Sequence, residues 1–502
     1  METTVETRYG AVRGYEADGV KVWKGIPYAQ PPTGSLRFQA PRAPDPWTGV
    51  RDAREFGPMA VQPAEPGFFG RLPQPAQSED CLTLNIWAPA QGDPPWPVMV
   101  WIHGGAFVTG SGSAPWYDGT SLARDGQIVV VTINYRLGPL GFLYLGELGG
   151  SAYRGSGNAG LLDQVQALQW VRENIGAFGG DPQRVTVAGE SAGSMSVGTL
   201  LVMPAAQGLF RQAIMESGVP AFKTAAAASR VTQALLDRLH LLKPSVEALQ
   251  AVPAAELLDA ARDIKGDGVL PWAPVIDELT LQKPFWTAIG QAWGRAIPLL
   301  MGSNRDELWL WGATNPGWRM LADRVMLDTF ELGWGPINPA VRDFYLSGKT
   351  GDALFEALME LGTHYAFWYP TQRLAGLHSA AAPTWVYRFD WQSTAQNGLL
   401  RACHALEIPF VFNTLDQPGV VNVTGDDPSR HRVAEMVQRA WLAFIAHGDP
   451  NGGSLPPWPP YDTAHRPVMV IDRESRVAWD PDSAARQLWD AVTRETDSAG
   501  LA

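Results

Sequence analysis

The feature that most constrains the fold is a run of small residues directly after a short β-branched segment. Residues 185–188 (VTVA) have the composition of a buried strand and lead straight into residues 189–193 (GESAG). Residues 192–203 are compatible with a helix. A strand that turns so abruptly into a helix needs small residues two positions on either side of the central serine, because the two backbones pack closely there. The segment therefore predicts a strand, a tight turn and a helix.

Other short apolar runs alternate with helical periodicity along the chain. The runs that predict further strands lie at 98–102, 128–133, 213–215, 298–301, 386–389 and 468–471. Helices are predicted at 160–178 and 433–447, where apolar residues recur at three- and four-residue steps. This alternation predicts a mostly parallel sheet with helices on both faces. The Pro-rich stretch 62–77 and the segment 312–351 are expected to be loop or lid insertions.

Charge and cysteine content exclude several classes of function. The 502 residues carry 39 basic and 51 acidic side chains, a net charge of -12. With no local block of Lys or Arg, this balance gives no electrostatic basis for binding nucleic acid or an anionic membrane. Two cysteines are too few for a disulfide framework or a cysteine-rich metal site. No signal-peptide pattern and no apolar run of about 18 residues is present, so neither a leader nor a transmembrane helix is expected.

The GESAG turn also carries chemistry, since it fits the G-x-S-x-G pattern of a nucleophile elbow. Such a turn lifts the hydroxyl of Ser191 above the sheet and directs the N-terminus of the next helix at developing negative charge. The alternatives are a Gly-rich turn without chemistry and a phosphate-binding loop. The second is disfavoured because G-x-x-x-x-G-K-[ST] is absent, and Pro115 stands where a G-x-G-x-x-G loop needs its third small residue.

An oxyanion hole is predicted after the strand at 98–102. Residues 103–106 (HGGA) include small residues whose amides can converge on one point, and the amide of Ala192, just after the serine, completes an HGGG-type arrangement. His103 is interpreted as a brace for this loop in preference to a general base, because it precedes the serine in the chain.

Ser191 needs an imidazole to accept its proton. The elbow fold places the acid and then the histidine after the serine, which leaves seven of the eight histidines as candidates. These are His240, His364, His378, His404, His431, His447 and His465. His404 stands out because it follows a turn at Gly398 and precedes the apolar run 408–412, but its local context alone leaves the other six open.

Several short segments, in a fixed order along the chain, make the family of this sequence recognisable. They are 10–14 (GAVRG), 23–29 (WKGIPYA), 78–86 (SEDCLTLNI), 134–138 (NYRLG), 179–182 (GGDP) and 458–461 (WPPY). Through them nearly the whole chain resembles the type-B carboxylesterase family, a group that includes bacterial carboxylesterases, para-nitrobenzyl esterase and the cholinesterases. The resemblance implies an α/β-hydrolase fold, with a mostly parallel central sheet, helices on both faces and loop or lid insertions. We expect residues 1–502 to form a single domain.

The resemblance also implies a catalytic triad. Ser191 corresponds to the nucleophile, and Glu307, at the end of residues 304–307 (NRDE), corresponds to the acid. Leu308 departs from the family's pattern, which usually has glycine there. His404, at the start of residues 404–410 (HALEIPF), corresponds to the base.

Supporting residues follow from the same resemblance. It implies that the oxyanion donors are the amides of Gly105, Ala106 and Ala192. Ser217 is implied to steady the acid, and Glu190 to support the triad from beside the nucleophile. No metal or organic cofactor is expected for this acyl transfer.

The position of Cys81 bears on location. Many secreted relatives use this position in a disulfide, but the expected partner position lies near Ala60. A free thiol is therefore expected at Cys81, which favours a cytoplasmic enzyme.

The function implied is that of a serine carboxylesterase. It is expected to hydrolyse uncharged small-molecule esters with short to medium acyl or aryl groups through an acyl-enzyme. Phe68, Phe69, Trp309 and Trp311 are expected to line the substrate gorge, and the lack of a Trp in residues 62–81 disfavours choline esters. Two alternatives are a catalytically silent adhesion or binding protein, which the intact triad disfavours, and an amide or carbamate hydrolase, which the same triad permits. The sequence carries no signal of oligomeric state.

Overall fold

One large sheet contains every strand that the sequence predicts. The computed structural model describes residues 2–64, 75–241, 243–264 and 270–498. Within these residues the strands are β1 (Glu2–Thr7), β2 (Gly10–Ala17), β3 (Val20–Pro27), β4 (Val50–Asp52), β5 (Thr83–Pro89), β6 (Trp96–Ile102), β7 (Val129–Ile133), β8 (Gly180–Glu190), β9 (Gln212–Glu216), β10 (Lys223–Thr224), β11 (Val275–Ile276), β12 (Leu299–Asn304), β13 (Thr384–Phe389), β14 (Pro467–Ile471) and β15 (Arg476–Trp479). Strands β10 and β11 form a separate pair.

The sheet is mostly parallel, as predicted. Its strand order is β1-β2-β3-β5-β7-β6-β8-β9-β12-β13-β14-β15, with β4 paired to β2. The strands from β7 to β14 in this order pair in parallel, whereas β1, β2, β3, β5 and β15 add antiparallel edges. Because the strands are parallel, their carboxyl ends meet at one edge of the sheet, which is where α/β folds place their sites.

Helices cover both faces of this sheet. They are α1 (Thr120–Gly126), α2 (Gly138–Phe142), α3 (Gly146–Gly149), α4 (Ala159–Asn174), α5 (Ala192–Leu200), α6 (Ala225–Leu239), α7 (Val246–Ala251), α8 (Ala254–Ala261), α9 (Phe285–Ile289), α10 (Trp309–Thr314), α11 (Pro316–Arg319), α12 (Asp323–Trp334), α13 (Pro339–Leu346), α14 (Gly351–Thr363), α15 (Tyr369–His378), α16 (Ala395–Gly398), α17 (Ile408–Val411), α18 (Val421–Thr424), α19 (Ser429–His447) and α20 (Ser483–Ser498). The predicted helices at 160–178, 192–203 and 433–447 correspond to α4, α5 and α19.

Strand β6 shows how the two faces form. Its alternate residues Val98, Val100 and Ile102 belong to one hydrophobic cluster, and Met99 and Trp101 belong to the other. A strand buried on both faces can be apolar throughout, because each successive side chain enters a different core. The continuous apolar run at 98–102 is therefore the sequence signature of a central strand.

The prediction of a loop or lid at 312–351 is wrong in its local structure. Most of this segment is helical, from the end of α10 through α11, α12 and α13. Its many Gly, Pro and Trp residues do not predict helix from the sequence. Tertiary contacts, such as the stacking of Trp318 on Phe330, stabilise the helices. The Pro-rich stretch 62–77 lies partly outside the described residues, and its described ends are irregular apart from an isolated bridge between Met59 and Gln77.

Cys81 and Cys403 are both buried and form no disulfide. No helix in the described part of the chain is long and apolar enough to span a bilayer.

Candidate active site

Ser191 occupies a strained turn between β8 and α5. Its backbone has φ 56 and ψ -120, a left-handed conformation that is costly for a residue with a Cβ. The turn is closed by its amide, which donates to the Glu216 carbonyl at 2.9 Å. A Cβ on Gly189 would lie 2.6 Å from the Gly193 backbone, and one on Gly193 would lie 2.0 Å from the Ile102 oxygen. Both glycines are therefore required by close backbone contact.

Glu307 and His404 meet behind the serine. His404 Nδ1 donates to Glu307 Oε2 at 2.6 Å, and the Asn304 amide donates to Glu307 Oε1 at 2.7 Å. Glu307 is inaccessible to solvent, and His404 is 5% exposed. Burial by itself lowers the pKa of His404, but the carboxylates of Glu190 and Glu307 outweigh it and raise that pKa to about 9.

His404 and Ser191 line the same cavity. In the described part of the structure, no hydrogen bond joins the two side chains. The other ring nitrogen, Nε2, lies 3.1 Å from Glu190 Oε1 instead. Two aromatic rings flank the imidazole, Trp311 at 5.1 Å and Phe367 at 4.9 Å between ring centres. Phe367 belongs to a π-helical turn, His364–Trp368, that joins α14 to α15. The geometry is that of a resting site, in which a catalytic hydrogen bond often forms only with substrate.

Two of the predicted oxyanion donors, Gly105 and Ala106, line the same cavity, and the third, Ala192, directly follows Ser191 in the chain. Gly105 (φ 106) and Ala106 (φ 55) have positive φ, so the chain after β6 turns sharply beside the elbow. Neither amide donates a backbone hydrogen bond within the described loops and turns. The amide of Ala192 belongs to the first residue of α5 and has no acceptor within that helix. These three amides are free to bind an anionic oxygen.

His103 braces the oxyanion loop. Its ring is buried, donates from Nδ1 to the Gly104 carbonyl at 2.8 Å and stacks on Tyr135 at 4.5 Å. Burial lowers the pKa of His103 to about 4, so the ring is neutral. This arrangement agrees with its interpretation as a brace.

Glu407 connects three elements of the site, and sequence reasoning missed it. It accepts from Ser217 Oγ at 3.2 Å and from Asn304 Nδ2 at 2.5 Å, and it lies three residues after His404. The Ser217 hydroxyl donates to Glu407, which also accepts from the side chain of Asn304, and the Asn304 backbone amide donates to Glu307, so Ser217 is linked to the acid through two intermediate residues. The charged residue at position 407 beside an apolar run was the available signal.

Leu308 fits where the family usually has glycine because its backbone is ordinary (φ -67, ψ -11). Its side chain is fully buried and lies over Gly362 of α14, where an added Cβ would be 2.1 Å from Leu308 Cδ2. The amide of Leu308 donates to Thr363 Oγ1 at 3.2 Å. The missing side chain at Gly362 thus provides the space for the larger residue next to Glu307.

Gly362→Ala is therefore expected to destabilise the protein by about 1–3 kcal/mol, because the buried Leu308 side chain must shift out of its packed position. The matched control is Gly376→Ala in α15, where the nearest atom to an added Cβ is 3.7 Å away. That change is expected to alter stability by less than about 1 kcal/mol, in the stabilising direction because alanine favours helix. Urea unfolding of the two variants measures the difference. Equal destabilisation would contradict the proposed packing.

The cavity at Ser191 has a volume of about 300 Å³ and is lined mainly by apolar groups. Trp311 lines it, as predicted. Trp309 does not line the cavity. Its side chain is 3% exposed, and the Arg401 guanidinium carbon lies 3.6 Å from the centre of its ring. Trp116 and Tyr117 form a further wall that the sequence analysis missed, although they follow the oxyanion loop closely in the chain. Phe68 and Phe69 lie outside the described residues.

The arrangement can perform acyl transfer. It places a serine hydroxyl, an imidazole bound to a carboxylate and free amides around one apolar cavity, which are the components of nucleophilic catalysis on a carbonyl group. Within the described ranges, no group of three His, Cys, Asp or Glu side chains is placed to hold a metal ion.

Comparison with known proteins identifies the family. The sequence model of the Carboxylesterase family matches residues 1–489. The chain is 41% identical over 489 residues to para-nitrobenzyl esterase of Bacillus subtilis, covering 96% of this chain and 97% of the relative. It is 37% identical over 492 residues to phenmedipham hydrolase of Pseudarthrobacter oxydans, covering 94% and 96%.

Solved structures agree with this. A Geobacillus stearothermophilus carboxylesterase superposes with a TM-score of 0.87 at 42% identity, covering 97% of this chain and all of that one. A para-nitrobenzyl esterase superposes with a TM-score of 0.88 at 40% identity, covering 97% and 99%. The fold is the α/β-hydrolase fold, as the sequence resemblance implied. With 96% of its length matched in sequence and 97% in structure, the chain belongs to the carboxylesterase family.

Proposed function

We propose that this carboxylic-ester hydrolase acts on uncharged esters with short to medium acyl or aryl groups, through an acyl-enzyme formed on Ser191. The observation that carries the proposal is the shared cavity. Ser191 and His404 border it, and Glu307 holds the far side of the imidazole at 2.6 Å. A volume of about 300 Å³ suits a small substrate.

In the proposed first step, His404 takes the proton of Ser191 as the hydroxyl oxygen attacks the ester carbonyl. Glu307 keeps the proton of the resting imidazole on Nδ1 and stabilises the imidazolium that forms. The amides of Gly105, Ala106 and Ala192 bind the oxyanion, each contributing about 3 kcal/mol. His404 then protonates the leaving alcohol, and water repeats the sequence on the acyl-enzyme.

The lining of the cavity supports uncharged substrates. Among the described lining residues Glu190 is the one carboxylate, and Lys and Arg are absent. An anionic substrate would lose its hydration without gaining a cation, and it would face Glu190. Aromatic walls from Trp116 and Trp311 fit aryl or alkyl groups through apolar contact.

The test is hydrolysis of para-nitrophenyl esters of increasing acyl length by the purified protein, with Ser191→Ala protein as the blank. We expect the enzyme to hydrolyse esters with short and medium acyl chains, and we expect the rate to fall for long acyl chains. Para-nitrophenyl acetate should exceed the anionic para-nitrophenyl hemisuccinate in kcat/KM by about tenfold or more. Wild-type turnover no faster than the blank would refute ester hydrolysis, and equal rates on the two esters would refute the charge preference.

The pH profile is expected to be alkaline. His404 must be neutral to accept a proton, and its neighbours raise its pKa from the ordinary 6.5 to about 9. On the acid side of that pKa, kcat/KM is expected to rise about tenfold per pH unit. Burial raises the pKa of Glu190 and the facing His404 lowers it, and the negative charge that Glu190 places beside Nε2 raises the pKa of His404, so Glu190→Gln is expected to move this limb to lower pH. Profiles measured with one ester for both proteins check this, and a limb that moves to higher pH contradicts it.

Domain organisation and location complete the proposal. We propose one domain for the whole chain, since the strands that precede Ser191 and Glu307 lie in a single sheet. A cytoplasmic location is supported by the unpaired thiols of Cys81 and Cys403.

A catalytically silent role is disfavoured by the assembled His404–Glu307 pair. Amide and carbamate hydrolysis use the same groups, and matched anilide or carbamate substrates in the same assay distinguish them.

A further inference from the structure

A row of side chains crosses the sheet beneath the proposed triad. Glu190 on β8 is in register with Glu216 on β9, which is in register with Gly302 on β12 and, through it, with Tyr387 on β13. Partners in register on parallel strands point to the same face of the sheet. Because Gly302 has no side chain, the Tyr387 ring lies over it, 2.4 Å from where a Cβ would be.

Glu216 contacts the nucleophile through its backbone and a distant helix through its side chain. Its carbonyl accepts the Ser191 amide at 2.9 Å, which closes the strained elbow. Its carboxyl oxygen Oε1 accepts from Trp441 Nε1 of α19 at 2.7 Å. Trp441 in turn packs edge-on against Tyr387 at 5.1 Å. This contact links the end of β9, which also pairs with β8 and β12 in the sheet, to α19.

The surroundings of Glu216 provide little for a negative charge. Oε2 has no hydrogen-bond partner in the described structure, and neither does the Tyr387 hydroxyl. The titratable groups that face it are Glu190 on β8, Glu407 before α17 and Tyr387 on β13, all of them buried. Across the described residues, no Lys or Arg forms an ion pair with Glu190, Glu216 or Glu407. An ionised Glu216 would be a buried charge with one donor beside two other carboxyls.

We propose that Glu216 is a positioning residue for Ser191 and that it works as a neutral carboxylic acid, anchored by Trp441. This inference rests on the proposed function of Ser191 as nucleophile. Burial raises the pKa of Glu216 well above its ordinary value, and Glu407 and Glu190 raise it further, in agreement with the geometry. The neutral state lets a polar group hold the elbow without adding to the negative charge around His404.

Infrared spectroscopy tests the protonation state without any substrate. The wild-type protein at neutral pH is expected to show the carbonyl stretch of a protonated carboxylic acid, which shifts in D₂O. That band is expected to lose the intensity of one carboxyl group in Glu216→Gln, while intensity from Glu407 remains, because burial and Glu307 raise the pKa of Glu407 to about 7. The matched control is Glu79→Gln, because Glu79 accepts two hydrogen bonds from the Arg37 guanidinium, whereas Glu216 has no Lys or Arg partner. An unchanged band in Glu216→Gln would overturn the proposal even if ester hydrolysis were absent.

Kinetics test the positioning role. Glu216→Ala leaves Trp441 without an acceptor, so kcat is expected to fall about tenfold or more with KM unchanged, since Glu216 does not line the cavity. Glu216→Gln keeps a neutral acceptor and is expected to restore kcat to within about threefold of wild type, with the acid limb of the pH profile in place.

Three kinetic results would overturn the proposal. A shift of that acid limb to lower pH in Glu216→Gln would mean that Glu216 is ionised in the working enzyme. Equal kcat for Glu216→Ala and Glu216→Gln would mean that the acceptor has no positioning role. If Glu216→Ala fails to fold, Trp441→Phe removes the donor and keeps the acid, and wild-type kcat in that variant would likewise refute the anchor.

Discussion

Ser191→Ala is expected to reduce kcat for para-nitrophenyl acetate by about 10⁵-fold or more, because no other group can form the acyl-enzyme. The change removes one oxygen and keeps the Cβ that the left-handed turn already accommodates, so the free energy of unfolding should stay close to that of wild type. Steady-state rates and urea unfolding measure the two effects. Residual turnover reports the contribution of the cavity and the oxyanion amides alone.

A covalent probe makes this prediction specific to the hydroxyl group. An organophosphonate is expected to add its mass to the wild-type protein and not to Ser191→Ala. The matched control is Ser121→Ala, since Ser121 lies on α1 and bonds to Asp125 and Gln438, away from the cavity. That variant should label and turn over as wild type does. Labelling of Ser191→Ala at the wild-type rate would show that another residue is the nucleophile.

Glu307→Gln is expected to lower kcat by about 10³- to 10⁴-fold with a smaller effect on KM. The Asn304 amide donates to Oε1 of Glu307, so the single oxygen of a glutamine side chain must stay there. Its NH₂ group would then face His404 Nδ1 and donate to it. The imidazole would carry its proton on Nε2, where it can no longer accept the proton of Ser191.

The neighbouring carboxylate provides the control for this change. Asp306 lies in the same turn, pairs with Arg305 at 3.1 Å and does not contact His404. Asp306→Asn is expected to keep kcat within about fivefold of wild type, because it removes the ion pair with Arg305 and keeps an oxygen that can accept from the Ala402 amide. Rates from both variants, measured at a pH where His404 is neutral, make the comparison. Equal losses would show that the negative charge of this turn matters and not the hydrogen bond to Nδ1.

The parts of the site that could be predicted are those set by neighbours in the chain. The elbow is one, because Gly189 and Gly193 must be small for the backbone to pass Ile102 within van der Waals contact. The apolar run at 98–102 is another, since only a strand buried on both faces needs it. The assignment of His404 and Glu307 came from family resemblance, because local context left seven histidines open.

Side-chain direction could not be predicted. Trp309 and Trp311 lie two residues apart, and both were expected to face the substrate. About half a turn of α10 separates the two residues, which puts Trp311 on the cavity and Trp309 under Arg401, because residues two apart on a helix lie on different faces. Their helix, α10, was not predicted, because it runs into a segment rich in Gly and Pro. Its position depends on contacts such as Leu308 against Gly362, a pair separated widely in the chain.

By itself, the sequence determined the strand, turn and helix around Ser191, the parallel sheet and the absence of a charge pattern for nucleic acid. These follow from conformational preferences and close contacts among residues near one another in the chain. Tertiary structure alone decided that Glu190 faces His404 Nε2, that Glu407 joins Ser217 to Asn304, and that Trp441 anchors Glu216. All of these contacts join residues more than 100 positions apart and form where carboxyl ends of parallel strands meet, so their geometry depends on the packing of the whole sheet.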